Sequence, residues 1–135
     1  MSVFDHVPYL KDISLGVREE MHYKLQLENY DKGAKIISKG DECHSIYFLV
    51  SGTIDLVIER EAKEHVLDTI TSPGSTIGAY SVFNESHFVF NVKARTNVAM
   101  LSLHRDDFIF IADQFEEIAK AIEKTSDFLI HHEIP

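Results

Sequence analysis

Between Leu25 and Leu103 the chain is cut into short alternating apolar runs by turn signals, and that texture restricts the fold more than any other feature. Leu27 to Tyr30 leads into Asp31-Lys32-Gly33, and Ala34 to Ser38 leads into Lys39-Gly40-Asp41-Glu42. Ser45 to Val50 and Thr53 to Glu59 are split by Ser51-Gly52, the pattern of a hairpin. His65 to Ile70 precedes Ser72-Pro73-Gly74, and Val89 to Ala94 with Val98 to Leu103 form a last pair. Alternation buries one face of a strand, and runs this short must find that cover against neighbouring strands. Many short strands at even spacing predict a sandwich or barrel rather than βαβ winding.

The flanks have helical spacing instead. Ser14 is placed to cap a helix running to about Gln26, with Glu19 and Glu20 near its start and Leu15, Val17, Met21 and Leu25 along it. Gly16 weakens that helix. Asp106 and Asp107 open a second helical segment with Phe108, Ile111, Ala112 and Phe115 on one face, continued by Ile118, Ala119, Ile122 and Leu129. The expected organisation is one domain over 1–135, with a helical lead-in at 1–26, a β-roll at 27–103 and C-terminal helices at 104–130.

Composition excludes several classes of function. A formal charge of −9 is the wrong sign for a nucleic-acid surface or for docking on anionic lipid. Cys43 is the single cysteine, so no disulfide framework or thiolate metal cluster exists within the chain. Its neighbours Asp41 and Glu42 oppose a thiolate, which argues against a catalytic thiol and for a reducing, cytoplasmic setting. No run has the length of a membrane span, and no signal-peptide pattern opens the chain. The eight histidines are scattered, with no HxH or HExxH spacing, so no metal is expected. Ser51, Ser81 and Ser102 lack a nucleophile-elbow context, and no loop has the GxxxxGK[ST] form. Enzymatic function has no supporting constellation, and no cofactor is implied.

One stretch carries the chemistry. From Ser75 the chain passes Gly78 and a short apolar segment, Ala79-Tyr80-Ser81-Val82-Phe83. A polar loop from Asn84 to His87 follows, and then the run through Phe88, Val89, Asn91 and Val92-Lys93-Ala94. A short helix opening at a glycine leaves backbone N–H groups unpaired, and such groups attract anions.

Five of the six glycines stand at turn positions: Gly33, Gly40, Gly52, Gly74 and Gly78. Together with Ile46-Tyr47-Phe48-Leu49-Val50-Ser51-Gly52 they give a pattern that resembles the cyclic-nucleotide-binding domain family, over roughly Val3 to Leu129. The resemblance implies a mainly β fold: an eight-stranded antiparallel β-roll (jelly roll) with an N-terminal helix and C-terminal lid helices. The stretch from Gly78 would be the phosphate-binding cassette. Members that bind cyclic nucleotides carry a glutamate directly after the cassette glycine, for the ribose hydroxyl. They also carry an arginine ten residues after that glycine, for the cyclic phosphate. In unbroken register those positions here are Ala79 and Phe88.

A buried phosphate needs a compensating charge, and the arginine fork provides it. Removing one partner of a buried pair costs roughly 3–5 kcal/mol, or about two to three orders of magnitude or more in affinity. The expectation is therefore a pocket formed by Gly78, Ala79, Tyr80, Ser81, Val82, Phe88, Val89 and Asn91 that holds cyclic AMP or cyclic GMP weakly. His87 is the candidate anion contact, and Lys93 and Arg95 are expected to be solvated. Leu103-His104-Arg105-Asp106-Asp107-Phe108 is similar to the entry of the post-roll helix in ether-à-go-go-type potassium channels, whose homologous domains regulate without a nucleotide. That similarity implies a regulatory domain acting through its parent protein, such as an ion channel, as the cytosolic part of a membrane protein. The other reading is a sensor of a cyclic nucleotide or another small ligand through a non-standard cassette. Neither nucleic acid nor direct membrane contact is expected.

Overall fold

The computed structural model describes residues 14–78 and 87–114, with side chains through Ile111. Within them run α1 (Leu15–Lys24), β1 (Gln26–Tyr30), β2 (Lys35–Ile37), β3 (Ser45–Ser51), β4 (Ile54–Arg60) and β5 (Lys63–Ile70). They are followed by β6 (Thr76–Ile77), β7 (Asn91–Ala94), β8 (Val98–His104) and α2 (Arg105–Gln114).

The strands form two four-stranded sheets, ordered β1-β8-β3-β6 and β2-β7-β4-β5, and every pairing is antiparallel. One apolar core draws on both sheets and both helices, from Ile46, Phe48 and Met100 in the first sheet to Ile54, Leu56 and Val92 in the second. The expected β-roll with flanking helices is therefore the observed architecture.

The hairpins follow from local chemistry. Ser51-Gly52 joins β3 to β4, as its position between two alternating runs requires. The β4–β5 turn is less obvious from sequence: Glu61 and Ala62 have φ of 54° and 64°, a conformation usually given to glycine or asparagine. That turn lets β5 begin at Lys63, two residues before the expected His65. β7 begins later than expected, at Asn91, because the backbone of Phe88 is engaged elsewhere. Its N–H donates to the Asp41 carbonyl at 3.1 Å, and its carbonyl accepts from the Gly40 N–H at 2.7 Å.

The helix α1 departs from expectation at its start. The Ser14 side chain makes no cap hydrogen bond, and Glu19 and Glu20 lie beyond the first turn, which holds no acidic residue. Val17 and Met21 are buried four residues apart on one face, whereas Leu15 is 71% exposed. Tertiary packing of that face, rather than capping, holds α1 in place. In α2 the acidic first turn is present, with Asp106 and Asp107. His104 contributes an unforeseen cap: its Nδ1 accepts from the Asp106 N–H at 3.1 Å. Phe108 and Ile111 bury themselves in the core. Phe115, Ile118, Ala119, Ile122 and Leu129 lie outside the described residues, as does the lead-in at 1–13.

Candidate functional site

The short strand β6 pairs with β3 through Tyr47↔Ile77 and Phe48↔Thr76, and this delivers Gly78 to the edge of the first sheet. Gly78 has φ of +88°, which only glycine adopts without strain. A Cβ at this position would lie 3.2 Å from the Phe88 ring and 3.2 Å from the Ser45 carbonyl oxygen. Of the positions expected to form one pocket, the described residues bring Gly78 and Phe88 together: Phe88 packs its ring against Gly78. Phe88 is 3% exposed and belongs to the core, with Val89 partly buried against it.

Asn91 stands on β7, and its side-chain oxygen accepts from the Lys39 N–H at 2.8 Å. That bond ties the Lys39-Gly40 turn to the second sheet, so this oxygen is already used by the fold. His87 is exposed and forms an isolated antiparallel bridge with Glu42. Ala79, Tyr80, Ser81 and Val82 lie outside the described residues.

The downstream cations are paired away from Gly78. Lys93 Nζ meets Glu64 at 2.7 Å, and Arg95 Nε meets Asp55 at 2.9 Å. Asp55, only 13% exposed at its side chain, also accepts from the Thr69 hydroxyl at 2.8 Å. Both pairs link residues of β7 and its flank to β4 and β5; Arg95 stays exposed, as the sequence suggested, while Lys93 is half-buried.

Beside Phe88 opens a cavity of about 380 Å³. Its apolar wall is Ile36, Ile37 and Phe88, and its polar wall is Asp41, Glu42, His44 and Tyr47. Sequence reasoning missed these polar residues because Lys39-Gly40-Asp41-Glu42 reads only as a turn. The contacts that fold the turn onto Phe88 join segments far apart in the chain. Asp41 also closes its own turn, with Oδ2 accepting from the Ser38 N–H at 2.9 Å. Glu42 Oε2 lies 3.4 Å from His44 Nε2, with both side chains exposed. Among the described residues no cluster of histidine, cysteine, aspartate and glutamate has the form of a metal site.

One carboxylate, Glu28, shares the sheet face of Tyr47. The register Gln26↔Ser102↔Tyr47 and Glu28↔Met100↔Leu49 puts Gln26, Glu28, Tyr30 and Tyr47 on one face of the first sheet. Tyr30 donates a hydrogen bond to Glu28, and burial, the Glu28 charge and Tyr47 push its pKa up to about 12. Tyr47 is also raised, by burial first, then by Glu28, Cys43 and Asp41. A folded-state pKa above the unfolded value means that stability is fully present below the ordinary tyrosine value of about 10. It is lost as pH rises toward about 12. We expect the denaturation midpoint to fall across that window, and Tyr30→Phe to remove the latest phase of phenolate absorbance in a spectrophotometric titration. Titration of all tyrosines by pH 10.0, the ordinary value, would contradict this.

Comparison with known proteins identifies the family. The model of the cyclic nucleotide-binding domain matches residues 27–115. The chain belongs to the cyclic nucleotide-binding domain family. A cAMP-dependent protein kinase regulatory subunit from Colletotrichum orbiculare is 31% identical over 102 residues, covering 76% of this chain and 25% of that protein. A cyclic nucleotide-gated potassium channel from Mesorhizobium japonicum is 25% identical over 120 residues, covering 89% of this chain and 32% of the channel. The chain therefore spans between a quarter and a third of these curated relatives.

Among solved structures, the regulatory subunit of a cAMP-independent protein kinase A from Trypanosoma brucei superposes with a TM-score of 0.80 at 21% identity. That structure is a mutant bound to cAMP in the A site; the match covers 93% of this chain and 45% of that one. The sensor domain of the transcriptional regulator DNR from Pseudomonas aeruginosa matches with a TM-score of 0.75 at 18% identity, covering 96% and 91% of the two chains. These likenesses show the cyclic nucleotide-binding fold. The relatives are regulatory and sensor domains of kinases, channels and transcription regulators. No helix among the described residues is long and apolar enough to cross a membrane.

Proposed function

We propose that this cyclic nucleotide-binding domain is regulatory but has lost tight binding of cyclic AMP and cyclic GMP. It works through contacts within a larger protein, cytoplasmic and without catalysis of its own, such as an ion-channel subunit. The observation that carries the proposal is the ring of Phe88, 3% exposed and packed over Gly78, at the position where the family resemblance calls for arginine. A phosphate seated there would meet hydrocarbon, and a buried anion without a countercharge is strongly disfavoured. Further support comes from the pairing of Lys93 and Arg95 with Glu64 and Asp55, which keeps both cations engaged. The cAMP-independent kinase subunit provides a parallel for loss of response within this fold.

Calorimetry with cyclic AMP and cyclic GMP tests the proposal. The missing arginine is worth roughly 3–5 kcal/mol, so saturation is expected no lower than the high-micromolar to millimolar range. Saturable binding near 1 μM, a level that corresponds to about −8 kcal/mol, would overturn it. The cavity beside Phe88 favours a second reading, in which the domain senses a different small ligand.

A further inference from the structure

The geometry points to the cavity beside Phe88 as a binding site for a small organic cation, an ammonium or guanidinium group carried on an apolar or aromatic body. This rests on the proposal that the cassette no longer receives a cyclic phosphate, and it names the chemistry that replaces the anion.

Size and lining agree with such a ligand. A cavity of about 380 Å³ is at the small end of ligand pockets, which run from roughly 300 to 1,000 Å³. Ile36, Ile37 and Phe88 make a wall that removes a small apolar body from water. Asp41, Glu42 and the hydroxyl-bearing Tyr47 line the same cavity. Among the described lining residues the one basic side chain is His44, which already sits 3.4 Å from Glu42.

A separate observation comes from behind the wall. Glu28, on the same sheet face as Tyr47, has one buried carboxylate oxygen, Oε2, with no hydrogen-bond partner. The Tyr47 pKa is raised first by burial, which disfavours any charge, and then by Glu28, Cys43 and Asp41; the two carboxylates among them set a negative field at its oxygen. A field that opposes a phenolate also opposes a phosphate and attracts a cation. The lining is thus inverted in sign relative to a site for a cyclic phosphodiester.

The test uses phenethylammonium as probe, its neutral isostere 2-phenylethanol and its anionic counterpart 3-phenylpropanoate, each titrated by NMR into the full chain. Phenethylammonium is expected to saturate at about 0.1–1 mM and to shift the signals of Ile37, Tyr47 and Phe88. The neutral isostere should bind at least about fivefold more weakly and the anion more weakly still. Asp41→Asn combined with Glu42→Gln should weaken the cation by about fivefold or more and leave the neutral isostere unchanged. Asparagine at 41 retains an oxygen for the Ser38 N–H, and a thermal melt checks that the fold is intact.

Glu28→Gln, which lies outside the cavity lining, should weaken the cation in the same direction without altering 2-phenylethanol. Equal binding of all three probes, or cation binding untouched by the three carboxylate substitutions, would overturn the inference. So would an absence of cation binding up to roughly 10 mM. If cyclic AMP also fails to bind in that last case, the proposed loss of nucleotide binding stands and the cationic ligand alone is wrong. Tight cyclic AMP binding would overturn both.

Discussion

Phe88→Ala is expected to destabilise the domain by about 3–5 kcal/mol, the range for truncating a buried phenylalanine. That should lower the melting temperature by roughly 10–20 °C. The magnitude follows from where the ring sits: 3% exposed, in the core cluster, with Gly78 beneath it. A residue whose task is to face a ligand would be half solvated without that ligand, and its truncation would cost little. Phe88→Leu keeps most of the volume and should recover about half of the loss. Thermal and urea denaturation of the two variants check this. A Phe88→Ala domain within about 1 kcal/mol of wild type would sink the view of Phe88 as core, because surface positions fall in that band. It would also remove the main support for the proposed loss of nucleotide binding.

Gly52→Ala is expected to be at least as damaging, by about 3–5 kcal/mol, for a different reason. Gly52 has φ of +96°, and a Cβ there would lie 2.3 Å from the Asn97 carbonyl oxygen and 3.0 Å from Val98 Cα. Those are backbone atoms of the turn entering β8, so no rotamer change relieves the clash. The same turn is fastened to the β3–β4 hairpin by Arg95 N–H to Thr53 O at 2.9 Å and by Thr53 N–H to Thr96 Oγ1 at 3.0 Å. Alanine must therefore push two hairpins apart. Gly33→Ala is the control, with a similar φ of +89° but nothing within 4 Å of the added carbon. It should lose only the conformational part, about 1–2 kcal/mol. Equal losses at the two positions, measured by chemical denaturation, would show that steric contact at Gly52 is not the cause.

Much of the candidate site was legible as an absence. The family resemblance sets Ala79 and Phe88 at the positions it gives to a glutamate and an arginine, and counting from Gly78 is enough for that reading. The acidic wall was not legible. Asp41 and Glu42 belong to a turn signal of ordinary composition, and they reach Phe88 only because backbone bonds from Gly40 and to Asp41 dock that turn onto it. The ion-pair partners of Lys93 and Arg95 were not legible, because strand periodicity assigns a face but not a partner. Their carboxylates come from β5 and β4, through the sheet order β7-β4-β5.

Turn residues and alternating runs are local properties, and they carried the order helix, β-roll, helix and the hairpin at Gly52. β6 escaped notice because a strand of two residues has no pattern of its own; it exists through its pairing with Tyr47 and Phe48. The β4–β5 turn escaped because Glu61 and Ala62 accept positive φ under the constraint of the flanking ladder, against their own preference. Whether Phe88 faces a ligand or the core was likewise open until the chain closed on itself. A side chain's burial depends on what packs against it from distant segments, and no window of neighbouring residues contains that information.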